Sequence, residues 1–318
     1  MAGLFLLFGS SAHAALLERP ELQRFIDDMV DRHSFERPEL ERVFSQTELR
    51  PDIIRAMTRP AERRPWHQYR PIFLTGDRIN GGVAFWNEHA DTLARAEQTY
   101  GVPAEIIVAI IGVESRYGRH KGSHRVIDAL ATLALDYPRR AQFFTSELEN
   151  YLLMTRKEGY DPLDMMGSYA GAMGKAQFMP SSFQAYAVDF DGDGRRDLWN
   201  SAADAIGSVA NYLRAHQWQR GGPIVSRAQL DGNGYREVLE RGIRPHSTAE
   251  ELTAHGIRVG QAVPDSVRGA LIELETENGV EHWVGWQNFF VITRYNHSSL
   301  YAMAVHDLAQ AIRAAREK

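Results

Sequence analysis

Four short segments of this 318-residue chain hold residues whose types and spacing suit chemistry. In the first, Ile110-Ile111-Gly112-Val113-Glu114-Ser115-Arg116-Tyr117-Gly118, an acid ends a largely apolar run that opens at Gly101-Val102-Pro103. Proline suits a first helical turn, and apolar residues fall on every face, so the pattern predicts a core helix. Glu114 stands four residues after Ile110 and three after Ile111, on a face that the preceding turn buries. A carboxyl there costs free energy unless it is paired, bound to a ligand or protonated. On position alone, an ion pair with Arg116 or a more distant arginine accounts for Glu114 as well as an acid catalyst does.

The second segment, 167–182, reads GSYAGAMGKAQFMPSS. Its glycines permit close backbone approach, and Ser168, Tyr169 and Gln177 suit a hydroxylated ligand. A glycine-rich connection between helices would read similarly. The third begins Asp189-Phe190-Asp191-Gly192-Asp193-Gly194-Arg195, with carboxylates at loop positions 1, 3 and 5 and glycine at 6. That is the first half of an EF-hand calcium loop, in which alternate oxygens converge on a hard cation. The second half departs from it, because position 12 is Asn200 and the next acid is Asp204. A solvated acidic turn is the competing reading, at the cost of crowding like charges. The fourth, 293–301, is TRYNHSSLY, where Tyr295 and Tyr301 either line a sugar groove or, as isolated aromatics, fill a core. His120 and His124 have a helical zinc spacing, but Gly122 and polar neighbours argue against that site. No H-E-x-x-H, G-x-S-x-G or phosphate loop occurs.

The elements that must position these segments are mostly helical. Hydrophobic residues make up 44% and charged residues 24% of the chain, which is ordinary globular material. A formal charge of −5 without a basic stripe makes nucleic acid a poor partner. Cysteine is absent, which excludes disulfides, thiolate metal sites, a cysteine nucleophile and a lipidated N-terminal cysteine. The opening MAGLFLLFGSSAHA is a short apolar core ending in Ala12-His13-Ala14, the pattern of a cleaved signal peptide over 1–14, although no Lys or Arg precedes Arg19. It is too short to span a bilayer as a helix.

Three Arg-Pro-acid starts, at Arg19, Arg37 and Arg50, open amphipathic helices of a lobe over 15–82. Helix is expected over 83–100 and 104–157, with a new start at Tyr137-Pro138, and helical character runs to Trp218. A catalytic core over 83–218 would then contain the acidic loop 189–204. From 219 turn residues multiply. Ser247-Thr248-Ala249-Glu250 reads as a capping box for a short helix stopped at Gly256. Ala270–Glu275 and Val280–Val284 flank Glu277-Asn278-Gly279, a hairpin signal. The expected insertion over 219–288 is therefore α+β, and 289–318 returns to helix.

Taken jointly, IIGVESRYG, LDYPRR at 135–140, GSYAGAMGKAQFMPSSF, DFDGDG, DAIGSVANYL at 204–213 and ITRYNHSSLYAMAV at 292–305 closely resemble the bacterial lytic murein transglycosylases of the B family. The similarity covers residues 20–315. It implies a mainly α fold with a lysozyme-like core, and cleavage of the MurNAc-β-1,4-GlcNAc bond of peptidoglycan. Glu114 matches the catalytic acid of the family's E-S/T-x-x-G motif. Ser168, Gln177, Tyr212, Tyr295 and Tyr301 match cleft positions, and Arg139 and Arg140 match paired arginines. Tyr117 and Met173, inside the same motifs, join the expected substrate contacts. The family's lengthened calcium loop would use Asp189, Asp191, Asp193, the carbonyl of Arg195 and Asp204. That ion would be structural, with no cofactor for the chemistry. The expected setting is soluble and periplasmic, without a membrane anchor. A monomer would act on glycan strands, with wall-synthesis enzymes as further partners.

Ordinary glycosidases need two carboxylates, and no second acid sits in a matching motif; Asp128 and Asp136 suit helix packing or capping. One glutamate suffices if the muramyl acetamido group stabilises the cationic centre and the sugar's own 6-hydroxyl attacks, leaving a 1,6-anhydro end. An idle glycan-binding module would not need Glu114, and a calcium-regulated interaction protein would carry paired loops. A hydrolytic muramidase is the remaining alternative.

Overall fold

The computed structural model describes residues 15–58 and 64–318, so the expected signal segment 1–14 lies outside the described residues. Contacts gather the chain into two compact units that do not follow sequence order. Of the described residues, one unit contains 15–58, His120–Ala185 and Gly194–Asn200; the other contains 64–119, Tyr186–Asp193 and Ser201–Lys318. The architecture is mainly helical, as the sequence predicts. Among the described residues no helix is long and apolar enough to cross a membrane.

In the first unit, the Arg-Pro-acid starts do open helices, Pro20–His33, Arg37–Phe44 and Pro51–Thr58, each with an acid in its first turn beside the positive end of the dipole. Their apolar stripes bury Leu22, Phe25, Ile26 and Met29, then Leu40, Val43 and Phe44, then Ile53. The helices Val126–Asp136 and Ala141–Glu158 pack on each other in the same unit. Asp128 accepts the backbone N–H of Glu48 at 2.9 Å and pairs with Arg125, and Asp136 pairs with Arg19 at 2.7 Å. Both acids thus serve packing.

The helical stretch expected over 104–157, with its new start at Tyr137-Pro138, has a further break before that start. Helix Ala104–Ser115 ends where Arg116, Tyr117 and Gly118 take positive φ of 49°, 61° and 86°, and helix resumes only at Val126. Left-handed residues cannot continue a right-handed helix. The break is imposed by packing that periodicity does not carry.

In the second unit, helix Ala104–Ser115 is buried nearly throughout and is packed by Gly76–Glu88, Ala90–Tyr100, Ala202–Ala215 and Ser299–Arg316. Its all-round apolarity has that consequence. The same unit holds a four-stranded antiparallel sheet in the spatial order 257–259, 225–230, 279–286, 269–276. The hairpin is where the sequence puts it, with Thr276 opposite Gly279 and the turn at Glu277-Asn278. Gly279 takes φ 140°, open freely only to glycine. One face of the sheet and two short helices enclose Val238, Leu252, Ile257, Leu271, Val284 and Trp286.

The capping box is one residue later than predicted. Thr248 and Glu251 satisfy each other's backbone N–H, at 3.2 and 2.8 Å, while Ser247 is held in a backbone bridge to Gly269. Ser247 is thereby committed to the sheet and unable to start the helix.

Candidate active site

Glu114 is the penultimate residue of the buried helix Ala104–Ser115. Its position depends on how that helix stops. The N–H groups of Arg116 and Tyr117 return to the carbonyls of Gly112 and Ile111, closing the C-terminus with a left-handed cap. Ser115 stabilises the reversal, donating to the Ile111 carbonyl at 3.2 Å and accepting the N–H of Gly118 at 3.0 Å. Tyr117 then folds back against Gly81, Gly82 and Gly112. A Cβ at Gly112 would lie 2.5 Å from the Tyr117 hydroxyl, so that slot exists only because the position is glycine.

The Tyr117 hydroxyl donates to the carbonyl of Arg78 at 2.7 Å. Arg78, 7% exposed, in turn donates through Nε to the Gly112 carbonyl at 3.1 Å and through a terminal nitrogen to the Ile72 carbonyl at 2.6 Å. A cation at a helix C-terminus meets the negative end of the dipole. Tyr117, expected among the substrate contacts, is thus occupied inside the protein as part of the support for Glu114.

The carboxyl of Glu114 accepts a hydrogen bond of 2.5 Å from the hydroxyl of Tyr301. Tyr301, 2% exposed, stands in the first turn of helix Ser299–Arg316, whose N-cap Ser298 accepts the Tyr301 N–H. Burial raises the pKa of Glu114 from 4.5 to about 7, and the Tyr301 hydroxyl pulls against that shift by favouring the charged form. The nearby helix C-terminus disfavours a negative charge as well. Four phenols, Tyr69, Tyr212, Tyr295 and Tyr301, are pushed upward by burial first and by the charge of Glu114 in addition. They remain neutral at any ordinary pH. The arrangement is a carboxyl able to hold its proton up to neutral pH, set among neutral hydroxyl groups.

Tyr212 and Tyr295 pack with ring centroids 4.7 Å apart, and the Tyr212 hydroxyl donates to the Arg294 carbonyl at 2.6 Å. The second unit therefore brings Glu114, Tyr212, Tyr295 and Tyr301 together. Sequence reasoning missed Tyr69 and Arg78. Nothing in the local sequence marks Tyr69, whereas Gly81-Gly82 inside a helical pattern does signal a close approach.

The other expected contacts belong to the first unit. Ser168 holds its own loop, accepting the N–H groups of Ala170 and Ala172 at 3.3 and 3.0 Å. Gln177, at φ 49°, donates to the carbonyls of Gly174 and Lys121. Met173 is fully buried and paired through its backbone with Phe178, so it supports the loop from within instead of meeting a ligand as expected. Arg139 and Arg140 are exposed on a single 3-10 turn, Pro138–Arg140, with Arg140 over the ring of Phe143 at 4.0 Å.

For the metal, the second unit brings together oxygens of Asp189, Asp191 and Asp204, all within 4.8 Å of one another. Oxygens this close fit ligands at 2.3–2.6 Å from one calcium ion. Asp204, 1% exposed at the start of helix Ala202–Ala215, also accepts the N–H of Phe190 at 2.7 Å. Asp193 is outside the cluster; its N–H caps Asp189 at 3.1 Å. Arg195 falls in the first unit, where its guanidinium lies over Tyr160.

A family model of the transglycosylase SLT domain matches residues 18–310. The chain is 47% identical over 307 residues to the membrane-bound lytic murein transglycosylase B of Escherichia coli (strain K12), covering 93% of this chain and 84% of that protein. Among solved structures, the soluble lytic transglycosylase SltB1 of Pseudomonas aeruginosa superposes with a TM-score of 0.90 at 49% identity, over 94% of this chain and all of the other. The Escherichia coli lytic transglycosylase Slt35 in complex with calcium superposes with a TM-score of 0.86 at 46% identity, over 95% of both chains. Likeness at this identity extends across nearly the whole length, and so the chain belongs to the SLT-domain family of lytic murein transglycosylases.

Proposed function

We infer that the protein is a lytic transglycosylase of peptidoglycan in which Glu114 is the single acid and base. The observation that carries this reading is the carboxyl of Glu114, raised to about 7 by burial and held by Tyr301 at 2.5 Å. A carboxyl that keeps its proton near neutral pH can give it to a glycosidic oxygen. The bond from C1 of the muramyl sugar to the departing oxygen then breaks, and that oxygen keeps the proton. The acetamido oxygen of the same sugar supports the developing cation at C1. The sugar's 6-hydroxyl attacks C1 and returns its proton to the Glu114 carboxylate, so the enzyme is regenerated and no water is consumed. Intramolecular attack gains from the high effective concentration of the hydroxyl.

A muramidase that uses water would rely on a second carboxylate. The hydrogen-bond partner of the Glu114 carboxyl is the Tyr301 phenol and not a second acid, which favours the single-acid reading. Mass spectrometry of digested sacculi tests it. The product should carry 1,6-anhydromuramyl ends; reducing muramyl ends that incorporate labelled water would replace this reading with hydrolysis.

The cluster Asp189, Asp191 and Asp204 fits a structural calcium, consistent with the calcium complex of Slt35. When bound, that ion would neutralise carboxylates at the start of the Tyr212 helix and supply no chemistry to the glycan. The setting we infer is the periplasm, where a soluble monomer would meet murein strands and wall-synthesis enzymes.

A further inference from the structure

A cavity of about 710 Å³ opens in the second unit, and of the phenols around Glu114 it shares Tyr69. Trp66, Tyr69 and Ile72, from helix Trp66–Phe73, form one wall. Glu273 and Glu275, on the edge strand Gly269–Thr276, line the cavity as well. Residues two apart on a strand share a face, so both carboxylates point the same way.

The cavity adjoins the acid. Tyr69 senses the charge of Glu114, and Ser298, Ser299 and Leu300, which also border the cavity, lead directly into Tyr301. A group in the cavity would therefore lie near the residues that hold Glu114.

Its walls suit one kind of group. Trp66 and Tyr69 are stacked at 6.5 Å, and Ile72 leaves apolar surface open at 40% exposure. Aromatic rings and carboxylates that line one space favour a cation, through the ring quadrupole and through charge. Glu273 already has a partner, the His282 ring nitrogen at 3.0 Å. Glu275 is exposed, and its carboxylate has no hydrogen-bond or ion-pair partner among the described residues. One cationic group, Arg64, also lines this space, and His67, outside the lining, has a ring nitrogen 3.4 Å from the Glu275 carbonyl.

We propose that this cavity receives the peptide carried by the muramyl sugar and that Glu275, backed by Glu273, binds a free amino group of that peptide. The proposal rests on the transglycosylase reading, since it is that reaction which puts a muramyl sugar next to Glu114. Its effect is selectivity: strands whose peptides keep a free amine are held more tightly than strands without one.

Three substrates separate the possibilities: glycan strands with native peptides, the same strands with amines acetylated, and strands stripped of peptide. Acetylation should lower kcat/KM of the wild type roughly three- to tenfold, the range of a partly exposed charged contact. Glu275→Gln should show that loss already on native strands and lose nothing further on acetylation. Equal sensitivity of wild type and variant to acetylation would overturn the proposal. So would a loss in the variant that is the same on stripped strands, which would make Glu275 a general glycan contact. Calorimetry of a disaccharide-peptide, with and without its free amine, on Glu114→Gln protein needs no turnover. A failure of the amine subsite is thereby distinguishable from a failure of the reaction reading, which the absence of anhydro ends would report.

Discussion

The hydroxyl of Tyr301 meets the carboxyl of Glu114 across 2.5 Å, although the two residues stand 187 positions apart in the chain. One partner raises no charge of its own and the other is driven by burial to hold its proton. Their contact sets how strongly. A donor to a carboxylate favours the ionised form, so Tyr301 keeps the acid from becoming too weak to release a proton.

Removing that donor should move the pH profile. In the wild type, kcat/KM should fall above about pH 7 as Glu114 loses its proton in the free enzyme. Tyr301→Phe should shift this alkaline limb to higher pH. A limb that stays in place, or moves down, would show that another group governs it.

Glu114→Gln should cut turnover roughly 10²- to 10⁴-fold, the usual range for a general acid, while glycan binding persists. It should also alter stability in a pH-dependent way. The raised pKa means that the folded protein holds a proton that the unfolded chain releases between about pH 4.5 and 7. This group's contribution to stability is therefore present at low pH and is lost as pH rises through that window, by at most about 3 kcal/mol. The neutral amide escapes the loss, so the Tm advantage of the variant should grow from pH 5 to pH 8. An advantage independent of pH would contradict a half-buried, titrating Glu114.

Gly112 faces Tyr117 so closely that an added Cβ would lie 2.5 Å from its hydroxyl. Alanine normally favours a helix over glycine by about 1 kcal/mol. Here Gly112→Ala should instead destabilise by about 1–3 kcal/mol, through overpacking. Tyr117→Phe, which forfeits the bond to the Arg78 carbonyl, should lose about 0.5–1.5 kcal/mol. Denaturant unfolding of both variants measures this, and an alanine variant as stable as the wild type would remove the slot from the account.

Calcium should raise Tm with concentration, because a ligand specific to the folded state stabilises it by mass action, about 2.7 kcal/mol at a hundredfold excess over Kd. The cluster of Asp189, Asp191 and Asp204 excludes Asp193. Asp204→Asn should accordingly weaken the calcium response more than Asp193→Asn does. The opposite order would restore the ordinary loop pattern, with position 5 as a ligand.

Local signals determined a good deal of this protein. A run that is apolar on every face has no stable place except inside a bundle, so the burial of 104–115 was legible from the sequence. Proline beside an acid set helix starts at Pro20, Arg37 and Pro51, and alternation around Glu277-Asn278 set the hairpin. Those features depend on residues a few positions apart. The strands Val225–Leu230 and Ile257–Val259 were not readable, since they are short, lack clean alternation and exist through pairing with distant partners. The same holds for the break after Ser115, where Gly81, Gly82 and Arg78, which trap Tyr117 together with the local Gly112, come from another helix. Glu114 was visible as an acid in the wrong company, but what gives it chemistry is the enclosure by Tyr69, Tyr212, Tyr295 and Tyr301. A pKa is set by what lies within a few ångströms in space, and only the tertiary fold decides which residues those are.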